Sequence, residues 1–190
     1  RSALANQEFT LHFQPRLCAR THQVRGAEAL LRWNNAVLGH VAPDDFITLA
    51  EESGLIKSIG RWVLMQACRQ WVAMADQLGM AGLQLSVNLS AAQLADERLV
   101  SLVRSTLAHT GLTPAQLELE LTESHLMSNP TLAQAQVSAL KALGVTLVVV
   151  PVPARRLVNG VASPSLSCGP LPLAVMPWKT CWSAVPSPLI

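Results

Sequence analysis

Apolar and polar residues alternate in several short stretches of this chain and recur every three to four residues in the segments between them. Residues 9–15 (FTLHFQP) alternate and stop at a proline, predicting a short strand. Residues 24–33 (VRGAEALLRW) read as a second strand, although their Ala and Leu suit a helix nearly as well. Residues 42–53 predict a helix opened by Pro43, Asp44 and Asp45 and closed by Gly54. A long helix is expected over 55–78, with Ile56, Ile59, Val63 and Ala67 on one face and Gly79 as its stop. Residues 83–89 (LQLSVNL) alternate strictly, and Ser90 is a good N-cap for a helix over 91–109. Residues 117–121 (LELEL) alternate again, followed by a short helix and the Asn129-Pro130 break. A helix over 131–143 ends at Gly144, and residues 145–150 form a nearly continuous β-branched run, as in a strand buried on both faces. Strands alternating with helices predict an α/β fold with a mostly parallel sheet.

From Pro151 the pattern fails. Eight of the 12 prolines fall between Pro151 and Pro188, blocking helix interiors and central strands, so 150–190 is expected to be an irregular tail. Charge changes along the chain too. Residues 1–123 hold all 12 carboxylates and 10 of the basic residues, whereas 124–190 hold no acid and four bases. The net charge of +2 is too balanced to suggest a DNA or RNA binder, and no apolar run approaches the ~20 residues of a membrane span. Cys18, Cys68, Cys168 and Cys181 show neither CxxC pairing nor histidine at metal spacing, which excludes a zinc or redox motif. With no hydrophobic leader at Arg1, we read them as reduced thiols of a cytoplasmic protein.

The strand period sorts the polar side chains. Glu28, Leu30 and Arg32 share one face of the second strand. Gln84, Ser86 and Asn88 share a face of the third, and Glu118, Glu120 and Thr122 a face of the fourth. Three strands therefore carry oxygen-bearing side chains near their C-terminal ends, where parallel α/β sheets gather ligands. Spacing alone leaves two readings open: the solvated side of a two-layer sheet, or a rim for Mg²⁺ or Mn²⁺, which prefer oxygen donors.

A resemblance favours the second. GAEALLRW at 26–33, FQP at 13–15, FITLAEESGLI at 46–56, GRWVLMQAC at 60–68, SVNLSAAQL at 86–94 and LELELTES at 117–124 resemble, in order and spacing, the EAL-domain family of bacterial cyclic-di-GMP phosphodiesterases. The resemblance runs from about residue 3 to 149 and implies a (β/α)₈, TIM-like barrel that hydrolyses cyclic di-GMP to linear pGpG with Mg²⁺ or Mn²⁺. By that resemblance Glu28, Asn88 and Glu120 would be metal ligands. Gln14, Leu30 and Arg32 would contact the dinucleotide, Arg32 through a phosphate. Glu123 would anchor a loop near the metal, although charge compensation at a helix N-terminus explains it equally well. Asn35 and Ala36 replace a His-Pro pair common in the family, with little chemical consequence expected.

The departure that matters comes later. Where the family has Asp-Asp-Phe-Gly, this chain has Val150, Pro151, Val152 and Pro153. The acid-free tail supplies no general-base glutamate, and Lys179 lies outside the family's lysine motif. The resemblance thus implies a partial barrel of about five strands over 1–149, an inactive copy, and a sheet edge open to self-association. A non-catalytic module that binds cyclic di-GMP or a protein is the alternative. The abrupt change also suggests an out-of-frame or foreign read-through from about Val150, which the other reading frames of the coding DNA would reveal.

Overall fold

Strands β1 (Phe9–Leu17) and β2 (Val24–Asn35) form an antiparallel hairpin whose register sets Gln14 opposite Glu28 and Thr10 opposite Arg32. The computed structural model describes residues 2–79, 82–122 and 130–150. Beyond the hairpin, β4 (Gln84–Asn88), β5 (Leu117–Thr122) and β6 (Thr146–Val150) add in parallel, giving the sheet order β1-β2-β4-β5-β6. The three-residue β3 (Gly39–Val41) turns back on the end of β2, off that five-strand path, as a sixth strand of the described sheet. The α/β class and the mostly parallel sheet are as the sequence predicts.

Gly26 explains how β2 and β4 come together at their start. A Cβ there would sit 2.0 Å from the Gln84 carbonyl oxygen, so only glycine lets the two backbones approach.

Helices cover one face of the sheet. Among the described residues they are α1 (Ser2–Ala5), α2 (Pro43–Glu52), α3 (Ile56–Leu78), α4 (Ala91–Leu94), α5 (Leu99–Thr110) and α6 (Pro130–Ala142). The alternate residues Ala27, Ala29, Leu85, Val87, Leu117, Leu119 and Leu121 are buried in one cluster with Ile59, Val63, Ala67, Cys68 and Trp71 of α3 and Val103 of α5. At its end, Trp33 meets Phe46 edge-on at 5.4 Å between ring centroids, and Phe9 lies 5.9 Å from both.

Four expectations need correction. First, the strand over 9–15 does not stop at Pro15. β1 continues to Leu17, because it is an edge strand and a proline there need not donate to a ladder. Second, the helix over 91–109 is two helices. Ser90 does cap the first, in a reciprocal box with Gln93, but Asp96 then accepts from the Arg98 amide at 3.0 Å and breaks the run. Third, β6 is not buried on both faces, since Val149 is 45% exposed at the edge of the described sheet. Fourth, the second strand runs on to Asn35 instead of ending at Trp33. The short helix expected after residue 121 and the tail beyond Val150 lie outside the described residues.

Candidate functional site

The face of the sheet away from the helices gathers the polar residues. Cross-strand register aligns Gln14 with Glu28, Glu28 with Ser86, Ser86 with Glu118, and Asn88 with Glu120. Neighbours in register share a face, so all of these side chains project to the same side. Its centre is enclosed, with Ser86, Glu118 and Glu120 at 0%, 1% and 6% exposed, which does not suit a solvated outer face, while Asn88 lies at the open rim.

Arg16 shows why. It extends from β1 to hydrogen-bond Ser86 on β4 and to pair with Glu118 on β5. In a flat sheet β1 and β5 would be about 14 Å apart, three strand spacings, which is beyond the reach of one arginine. The sheet therefore curls, and Arg16 spans the inside of the curve.

The three residues expected to hold metal come together here. Asn88 Nδ2 donates to Glu28 Oε1 at 2.7 Å, leaving Asn88 Oδ1 as a donor oxygen. Glu120 stands beside Asn88 in the β4–β5 register. Burial raises the Glu120 carboxyl to a pKa of about 7, with the Glu28 charge next in importance, while Arg16 at 3.6 Å acts in the opposite sense. Glu118 is held by Ser86 Oγ at 2.8 Å as well as by Arg16.

These groups fit a divalent cation in part. Two carboxylates and an amide oxygen are a hard-oxygen set, and like charges crowding Glu120 are what a dication relieves. Yet no group of three His, Cys, Asp or Glu side chains is arranged to hold a metal among the described residues. Two carboxylates and one amide oxygen are what the described residues bring together here.

The expected substrate contacts follow along the same strands. Gln14 lies across from Glu28, Leu30 across from His12 and Arg32 across from Thr10. Leu30 stands outside the apolar cluster that takes in its neighbour Leu31, so it offers apolar surface on the polar face. The Arg32 Nη1 donates at 2.9 Å to the carbonyl of Leu31, and no carboxylate among the described residues holds the guanidinium. Glu123 lies outside the described residues. On β6, Val148 and Val150 pair with Glu120 and Thr122, so Val150 presents an isopropyl group on the site's own face where the resemblance implies an aspartate.

Two features were not singled out from the sequence. Arg16 was hidden by Pro15, read as the strand's end; continuing the alternation from Gln14 would have placed it on this face. Glu8 supports the rim from outside, accepting from Trp33 Nε1 at 2.8 Å and from Asn35 Nδ2 at 2.9 Å. Asn35 in turn accepts from the Val37 and Leu38 amides, both at 2.9 Å, and so shapes the β2–β3 turn. Its role at a His position is thus structural.

A curled, mostly parallel sheet with a polar inner face and helices outside is a partial TIM-like barrel. Residues 1–150 match the model of the EAL domain, and the chain belongs to that family. It is 42% identical over 145 residues to the bifunctional diguanylate cyclase/cyclic di-GMP phosphodiesterase MucR of Pseudomonas aeruginosa, covering 76% of this chain and 21% of MucR. It is 39% identical over 144 residues to the cyclic di-GMP phosphodiesterase PdeR of Escherichia coli K12, covering 76% and 21%. The chain thus spans about a fifth of the length of these curated relatives. Its structure matches the MucR phosphodiesterase in complex with c-di-GMP at a TM-score of 0.73 and 41% identity, over 77% of this chain and 59% of that one. The FimX EAL domain of Pseudomonas aeruginosa bound to c-di-GMP matches at 0.66 and 28% identity, over 78% and 58%. No helix among the described residues is long and apolar enough to cross a membrane.

Proposed function

We propose that this chain is a non-hydrolysing member of the cyclic-di-GMP phosphodiesterase family, keeping one wall of the site and lacking the other. The observation that carries the reading is Val150, on the face of Glu120 where the family resemblance calls for the first of two aspartates. An isopropyl group neither ligates a cation nor takes a proton, and Pro151 beside it supplies no carboxylate.

In this reading Glu28, Asn88 Oδ1 and Glu120 hold a Mg²⁺ or Mn²⁺ ion. When bound, such an ion neutralises phosphodiester charge and acidifies water. The chain's own residues do the rest. The Arg32 fork takes two oxygens of one phosphate, Leu30 lies under an apolar part of the dinucleotide, and the Gln14 amide donates and accepts at its polar edge. No residue of this wall serves as a general base, because Glu28 and Glu120 are committed as ligands and Glu118 is tied to Arg16 and Ser86.

Incubating the full chain with cyclic di-GMP and Mn²⁺ tests the proposal. Intact dinucleotide is the expected outcome, and metal-dependent pGpG overturns it. A second reading, binding without hydrolysis, is favoured by Arg32, whose one hydrogen bond among the described residues, to the Leu31 carbonyl, engages only Nη1 of its fork. Calorimetric titration with cyclic di-GMP tests that reading: heat that disappears in Arg32→Ala supports it, and no heat from folded protein removes it.

A further inference from the structure

Arg16 is the cation that reaches the β5 carboxylates of this face, and the reading above gives it no part in holding metal or dinucleotide. Its side chain is 20% exposed, and it crosses from β1 to Ser86 and Glu118 while its Nη1 lies 3.6 Å from Glu120 Oε1. Glu118 is already engaged by the Ser86 hydroxyl at 2.8 Å. A guanidinium needed only to neutralise Glu118 could turn away from Glu120, yet this one serves both carboxylates, on alternate residues of the same strand. Lys57, Arg61 and Arg98 gather elsewhere, beside Asp96 in a surface cleft on the helical side, and the first and last of them are engaged with Asp96.

We propose that Arg16 is a built-in counter-cation of the metal half-site, a positioning residue whose guanidinium and a divalent ion compete for Glu120. The inference rests on the reading of Glu28, Asn88 and Glu120 as metal ligands. It follows from electrostatics in an enclosed place. A fixed positive charge a few ångströms from a ligand carboxylate opposes the arrival of a dication, and little water lies between them to screen it. With Arg16 present, Glu120 keeps a partner when no metal is bound, and the face does not need the ion to hold its shape. The cost is weaker divalent binding.

Titration of the full-length chain with Mn²⁺, read by electron paramagnetic resonance of the free ion, tests this without any turnover. Arg16→Gln is expected to bind Mn²⁺ at least about fivefold more tightly than the unmodified chain. Arg16→Lys, which keeps the charge, should stay near the original affinity. Arg98→Gln removes the same charge on the helical side and should change affinity by less than about twofold. Circular dichroism checks that each variant is folded. If Arg16→Gln does not fold, Arg16→Gln combined with Glu118→Gln replaces the ion pair by two amides, and the same tightening is expected relative to Glu118→Gln alone. Unchanged or weaker Mn²⁺ binding in folded Arg16→Gln, with Glu120→Gln abolishing it, overturns the role of Arg16 and leaves the metal half-site standing. No Mn²⁺ binding in any variant overturns the half-site itself, and the role of Arg16 with it.

Discussion

Asn88 on β4 donates its side-chain amide to Glu28 on β2 at 2.7 Å, joining across two parallel strands the two residues that open the polar face. Neither needs the other for the fold. Asn88 is exposed, and its loss removes one hydrogen bond at the rim rather than emptying a cavity. Asn88→Ala should therefore lower unfolding stability by no more than about 1 kcal/mol. It should weaken Mn²⁺ binding several-fold, because an oxygen donor is lost. Urea denaturation and Mn²⁺ titration separate the two effects, and a large stability loss with unchanged metal binding would make the pair structural.

Glu120 gives the site a pH signature. Its carboxyl is raised to about 7 in the folded chain, chiefly by burial and then by Glu28, against an ordinary value of 4.5. Between those values the folded state holds a proton that the unfolded state has released. Stability therefore falls as pH rises from about 4.5 to 7 and then levels, by at most about 3 kcal/mol. Glu120→Gln should remove that part of the pH slope and be the more stable protein at pH 8. Urea midpoints at pH 5, 6, 7 and 8 measure it; parallel slopes in the two proteins would contradict the burial argument.

The alternation that made this face legible also limited what the sequence could say. LQLSVNL and LELEL state that Ser86, Asn88, Glu118 and Glu120 share a side, but a period of two does not say whether that side is solvent or the inside of a curl. The long-range reach of Arg16 across three strand spacings decides it, and no local pattern encodes such a contact. Helix breaks were illegible for a similar reason. Residues 91–109 suit a helix throughout, and they divide where the Asp96 side chain captures the Arg98 amide and the Asp96 carbonyl accepts from Gln136, forty residues away. β3 exists because Asn35 folds the turn before it, an effect of one side chain rather than of periodicity. By contrast, Gly79 ends its helix as the sequence predicts, in the left-handed region with φ of 63°.

Gly26 should be intolerant of any side chain. Its Cβ would lie 2.0 Å from the Gln84 carbonyl oxygen in the β2–β4 pairing that sets Glu28 beside Ser86. Gly26→Ala is expected to cost about 2 kcal/mol or more by forcing two backbones apart. A thermal or urea unfolding midpoint close to the original would show that the strands can separate freely.

The two described cysteines should differ sharply in reactivity. Cys18 is drawn down to about 6, first by the Thr21 hydroxyl and then by backbone amides of Thr21 and Arg20, whereas burial pushes Cys68 up to about 12. The thiolate is the nucleophile. Brief alkylation of the folded chain at pH 7.5, mapped by peptide mass spectrometry, should modify Cys18 and spare Cys68, and 6 M urea should expose both. Equal labelling of the folded chain would contradict the burial of Cys68 against α3's partners.

The central claim is that one wall of a phosphodiesterase site persists beside Val150 without the groups that attack the phosphate. The most direct measurement is chromatographic detection of pGpG after long incubation of the full chain, at high protein concentration, with cyclic di-GMP and Mn²⁺. Glu28→Gln serves as the paired control for a contaminating enzyme. The account predicts that both proteins leave the dinucleotide intact, or release the same trace. Release of pGpG that requires Mn²⁺ and disappears in Glu28→Gln would contradict it.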